Sequence, residues 1–169
     1  MATFNGLPAH ILLVHFIVVL VPLTALLATL CAVWPAARRR LVWLSLVLAA
    51  GVVVMTPITT DAGEWLEQRV GRNPNLQNHT HLGDTFIYFA LPLLIGAGLV
   101  AVVHVREGRG RSLSRVLVGA VAVLTIAASI AATVQVYRIG ESGSGSVWNG
   151  VSARPAQTHA GGDGGTQPK

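Results

Sequence analysis

Four long apolar runs, separated by short polar stretches, set the pattern of this chain. Ile11 to Val33 holds a single ionisable residue, His15, and gives way to Trp34-Pro35 and then Arg38-Arg39-Arg40. At 1.5 Å per residue, about 20 such residues cross the hydrocarbon of a bilayer, so the run predicts a spanning helix. The flanks argue against a cleaved signal peptide, because Met1 to Pro8 carries no basic residue and the run exceeds the usual 7 to 15 or so residues of a signal core. Leu41 to Ile58 is a second apolar run, dissolving into Thr59-Thr60-Asp61. Asp61 to Asp84 reads as a polar connection with a turn signal at Asn73-Pro74-Asn75. Thr85 to Val105 is the third run; Pro92 and Gly96/Gly98 inside it suggest a kink, which neighbouring helices in a membrane tolerate.

Leu113 to Val136 is the fourth run. Its Thr125, Ser129 and Ala132 follow helical spacing, with Gly119 and Ala122 on a nearby strip, a small-residue seam that lets another helix approach closely. Beyond Arg138 the composition turns to Gly, Ser and Pro, and 151–169 is expected to be a flexible tail. The expectation is an all-α, four-helix transmembrane bundle within residues 1–150, with spans at about 10–33, 41–60, 84–105 and 113–137. No repeat of fixed period is present, although each half consists of two spans joined by a basic loop.

Composition supports the class. Of 169 residues, 52% are apolar and 11% charged, about half the charged share of a soluble domain, which argues against a soluble enzyme and against disorder through most of the chain. The net charge of +5 does not point to nucleic acid, since the basic residues are spread over loops without a stacking aromatic face. Arg38, Arg39 and Arg40 in one connection and Arg106, Arg109, Arg111 and Arg115 in another belong in the cytoplasm by the positive-inside rule. Both termini and the 61–84 segment then face outward from a plasma membrane. Trp34, Trp43, Trp65, Trp148 and Tyr137 read as interfacial anchors, and the single Cys31 can form no internal disulfide.

This topology gathers His10, His15, His79 and His81 near one membrane face, beside Asp61 and Glu64. His15 stands out, because an ionisable group inside an apolar run is costly and is by default a functional hypothesis. Imidazole there can ligate haem iron, bind copper or zinc, or relay protons; its bland alternative is a neutral histidine bonded to a neighbouring helix. His10 and His15 would lie roughly 140° apart on an ideal helix and cannot both point at one bound ion unless the helix starts near Leu12; His79 and His81 would diverge by about 200° on a helix and suit chelation only from an extended or loop segment, so one of that pair is expected to face inward. His81 is the expected inward member of the second pair, being closest to Gly83 and the third span. Asp61 and Glu64, three apart, share a helical face and with histidines could form a hydrolytic metal site, although such carboxylates just past a span are commonly solvated. No HExxH, CxxC, GxSxG or Walker pattern occurs.

The segment Leu7-Pro8-Ala9-His10-Ile11-Leu12-Leu13-Val14-His15-Phe16 resembles the opening His-Pro-x-x-Val-His-Phe-Pro of a family of bacterial integral membrane proteins catalogued as domain of unknown function 2231. Thr60-Asp61-Ala62-Gly63-Glu64, the His79/His81 segment with Gly83, and Val136-Tyr137-Arg138-Ile139-Gly140-Glu141-Ser142-Gly143 extend the resemblance over about residues 5 to 150. Ile11 and Ile17 replace two expected prolines, and Glu141 stands near a position that is often histidine. The resemblance implies a broad plan like that of four-helix membrane cytochromes, and with it haem b; a transition metal is the alternative cofactor that imidazole chemistry offers.

Three readings follow. The first is a haem- or metal-binding redox component, with His15 and His81 as principal ligands, His10 and His79 beside them, and Asp61 and Glu64 as supporting carboxylates. The second is a non-catalytic membrane subunit or scaffold, whose small-residue seam packs a protein partner or a second copy and whose histidines are structural. The third is a metal-dependent membrane hydrolase. All three are embedded in the lipid bilayer.

Overall fold

The structure is a computed structural model describing residues 3–4, 7–70, 74–111 and 113–148. Two short strands, β1 (Thr3–Phe4) and β2 (Leu7–Pro8), pair antiparallel ahead of the helices. The helices are α1 (Ala9–Val33), α2 (Pro35–Val70), α3 (Pro74–Asp84), α4 (Ile87–Gly108) and α5 (Arg115–Trp148). Four helical stretches are long and apolar enough to cross a membrane: His10–Val33, Pro35–Arg69, Leu76–Gly108 and Arg115–Gly145. The all-α bundle is therefore as the hydropathy pattern predicts. The expected tail at 151–169 lies outside the described residues.

Around the bundle the order is α1, α2, α4, α5: α1 packs on α2 and α5, and α4 packs on the same two. Alternating helix direction puts the α1–α2 corner and the α4–α5 connection at one end, which gathers Arg38, Arg39, Arg40, Arg106, Arg109, Arg111 and Arg115. His10 and His79 lie at the other. Trp34 alone separates α1 from α2, and Pro35 starts α2 where a missing N–H costs nothing. The second connection contains Gly110 at φ 68, a left-handed conformation in which a side chain would be strained.

The bundle is apolar on its surface as well as in its core. Large apolar side chains such as Val19, Leu26, Val47, Ile95 and Val123 point outward, as lipid-facing residues must. The interior is built in two layers. Toward the histidine end, Ile17, Leu20, Val21, Val52, Phe86 and Leu93 pack together; toward the arginine end, Cys31, Val42, Val100, Val103 and Val121 do. Buried threonine hydroxyls satisfy themselves on their own helices, with Thr24 donating to Leu20 O (2.7 Å), Thr56 to Val52 O (2.7 Å) and Thr125 to Val121 O (2.8 Å), whereas Ser45 Oγ and Ser129 Oγ have no partner among the described residues.

Residues 61–84 depart from expectation. Much of that segment is helix: α2 runs on to Val70, and α3 forms a further helix packed mainly on α5. With 36 residues α2 measures about 54 Å, well beyond the roughly 30 Å hydrocarbon, so its polar end continues as helix past the membrane. A short turn at Thr85 and Phe86 joins α3 to α4. It is pinned by buried Gln135 of α5, whose Nε2 lies 3.3 Å from Leu82 O and 3.4 Å from Thr85 Oγ1.

Candidate functional site

At the histidine end a cavity of about 110 Å³ opens between α1, α2, α3 and α5. Its wall combines apolar residues, among them Val14, Ile17, Leu76, Phe86 and Ile139, with His10, His79, Glu64, Glu67 and Asp84. Space of that size holds a few waters or a hydrated ion, but lies below the usual range of about 300–1,000 Å³ for drug-sized ligands.

His10 begins α1 and reaches across to α2, where its Nδ1 lies 3.0 Å from Thr59 O. His79, in the middle of α3, reaches to α5, its Nδ1 lying 3.0 Å from Ile139 O and 3.2 Å from Ser142 Oγ. A carbonyl can only accept, so each Nδ1 carries the hydrogen and donates it, leaving the Nε2 lone pair as the coordinating position of a neutral ring. The two imidazoles meet edge to face, centroids 6.4 Å apart and planes at 82°. Both line the same cavity.

Two glycines admit these rings. A Cβ on Gly63 would lie 2.9 Å from His10 Cε1, and one on Gly143 would lie 3.0 Å from His79 Cε1. Each glycine stands four residues after the carbonyl its histidine binds, and so shares that carbonyl's helical face.

The remaining expected site residues are placed differently. His81, expected to face inward, is exposed; the phase of α3 turns His79 toward α5 and carries His81 to the other side, as a 200° divergence requires. His15 is exposed on α1, and its Nδ1 donates to Ile11 O of its own helix at 2.6 Å. Asp61 is exposed and does not line the cavity, whereas Glu64, also exposed, stands at its wall. Among the described residues no three His, Cys, Asp or Glu side chains are grouped to hold a metal ion, so the hydrolase reading lacks its three-ligand centre.

Thr125, Ser129 and Ala132 of the small-residue seam are buried inside the bundle. Thr125 meets α4 of the same chain, its Oγ1 3.4 Å from Gly96 O, and a Cβ on Gly96 would lie 3.2 Å from Thr125 Cα. At this point the seam packs an internal helix. Gly119 is exposed and Ala122 half-buried. Of the aromatic anchors, Trp43 meets His104 edge to face at 6.4 Å, and Arg69 stacks 3.7 Å over the Trp65 ring.

Thr59, Gly63, Ile139, Ser142 and Gly143 were not singled out as site residues by sequence. Gly63, Ile139, Ser142 and Gly143 lay within the family-like segments and Thr59 just before one; the signal was a glycine in each helix just past the apolar run. No curated protein and no solved structure matches the chain. The model of the family described as Predicted membrane protein (DUF2231) matches residues 6–153, and the chain belongs to that family.

Proposed function

We propose that this integral membrane protein binds a first-row transition-metal ion, copper or zinc, between His10 and His79. The observation that carries the reading is the matched engagement of both Nδ1 atoms by helix carbonyls, at 3.0 Å each. That arrangement is how metal-ligating histidines are commonly oriented: the carbonyl fixes the tautomer and raises the basicity of Nε2. Imidazole suits copper and zinc. The cavity volume favours a single ion with water over haem. With two protein ligands and solvent completing the shell, the ion is exchangeable. Copper would make the protein a redox component; zinc would not. The arginine end is read as cytoplasmic, which puts the ion at the outer face.

The test is a titration of detergent-purified, metal-free protein with Cu²⁺ and Zn²⁺, followed by absorption spectra before and after reduction. One equivalent should bind, and His10→Ala or His79→Ala should weaken binding by about 10- to 100-fold or more, since loss of outer partners alone has effects of that size. His15→Ala and His81→Ala should bind as the parent does. Affinity indifferent to His10 and His79 would falsify the reading.

A scaffold reading draws on the same bonds, because each imidazole ties two helices together. It predicts that His10→Ala and His79→Ala lower thermal stability in a parent protein that takes up no metal.

A further inference from the structure

The two helical hairpins carry the same device. In the first, a histidine at the start of α1 binds a carbonyl of α2; in the second, a histidine of α3, which leads into α4, binds a carbonyl of α5. In each case a glycine follows the accepting residue by four positions and lies against the ring. Even the contacts correspond: a Cβ on Gly63 would meet Cε1, Nδ1 and Nε2 of His10 at 2.9, 3.1 and 3.7 Å, and one on Gly143 would meet those atoms of His79 at 3.0, 3.2 and 3.6 Å. Pro22 falls twelve residues after His10 and Pro92 thirteen after His79, the turn at Thr85 and Phe86 intervening. The order α1, α2, α4, α5 around the bundle relates the hairpins by an approximate two-fold axis along the helices, as in membrane proteins built from parallel repeats. The cavity at the histidine end takes one histidine from each hairpin.

We propose that Gly63 and Gly143 are a matched pair of positioning residues, each opening one helix carbonyl to one imidazole and thereby holding both rings in the Nδ1–H tautomer with Nε2 available to a shared cation. The cation rests on the reading given above; the tautomer control does not. At 2.9 Å a Cβ on Gly63 is closer to its ring than contact allows, and at 3.0 Å one on Gly143 requires the ring to give by a few tenths of an ångström, so alanine at either position displaces its histidine relative to the carbonyl. That displacement weakens the bond that selects the ring's tautomer. Because the three atoms nearest a Cβ at each glycine belong to the ring of its own hairpin, the two effects are separable.

The test uses the full chain, metal-free, in detergent micelles, with ¹⁵N-labelled histidine observed by NMR, followed by Cu²⁺ and Zn²⁺ titration. In the parent, His10 and His79 should both show the Nδ1–H tautomer. Gly63→Ala should shift His10 away from the Nδ1–H tautomer and leave the tautomer of His79, Gly143→Ala should do the converse, and each should weaken metal binding about tenfold or more. Gly98→Ala, where a Cβ meets nothing within 4 Å, should leave both tautomers and the affinity unchanged. If the parent binds neither metal but the tautomers still respond residue by residue, the positioning role stands and the metal reading falls. Tautomers unchanged in both glycine variants overturn the positioning role. Should an alanine variant fail to fold, removing the ring as well, as in Gly63→Ala/His10→Ala, must restore folding; failure to do so also overturns it.

Discussion

Arg38 of α2 and Glu107 of α4 form an ion pair of 3.0 Å that joins the two hairpins at the arginine end, and its members are unequally buried, with 5% of the Arg38 side chain exposed against 42% of Glu107. Arg38 Nε has no hydrogen-bond partner among the described residues. Removing Glu107 leaves a buried cation uncompensated, whereas removing Arg38 leaves a carboxylate already in contact with solvent. Glu107→Gln should therefore lower thermal stability in detergent by about 1–3 kcal/mol, reduced from the fully buried case because Glu107 is half-exposed, and Arg38→Met should cost less. The reverse order would contradict this account of the pair.

Gly96 lets α4 and α5 approach closely at Thr125. A Cβ there would stand 3.2 Å from the backbone of Thr125, and backbone cannot turn aside as a side chain can. Gly96→Val should destabilise by about 1–3 kcal/mol through overpacking. Gly98→Ala, two residues away in open space, should be neutral or mildly stabilising through helix propensity. Denaturation midpoints of the two variants in the same detergent measure the contrast.

Leu93 is fully buried in the layer nearest the histidines, while Ile95 is 61% exposed on the opposite side of the same helix. Leu93→Ala should cost about 2–5 kcal/mol, the transfer loss plus a residual cavity. Ile95→Ala removes a side chain that faces lipid and should change stability by less than about 0.5 kcal/mol. Equal losses would mean that Ile95 is covered in the native membrane protein.

Among the described residues His15 bonds only within α1, and His81 is exposed, so His15→Leu and His81→Ala should leave thermal stability within about 0.5 kcal/mol of the parent. A large loss at either position, read by thermal unfolding, would place that histidine in a contact absent from the bundle as described.

The spans were legible in the sequence because a bilayer allows little else: a long run such as Ile11 to Val33 has to close its backbone hydrogen bonds within itself. The extension of α2 to Val70 was not, since Asp61 to Val70 is polar and its helix is held by continuity with the span and by packing on neighbouring helices. Convergence of histidines at one end followed from topology alone. Which of them turn inward did not, because the choice between His79 and His81 depends on the rotation of α3 against α5, a tertiary quantity with no local signature. Thr125, Ser129 and Ala132 were recognisable as a packing face, but spacing cannot say whether the helix that fills it belongs to the same chain.

The corner at Trp34 separates α1 from α2 by one residue, and His10 stands 24 residues back along α1, about 36 Å away. Such a corner acts as the fulcrum of a long arm. A rotation of about 5° between the two helices there would displace His10 by about 3 Å, comparable to the whole length of its bond to Thr59 O, so side-chain packing along the first hairpin fixes the imidazole's position far more tightly than its own rotamer can.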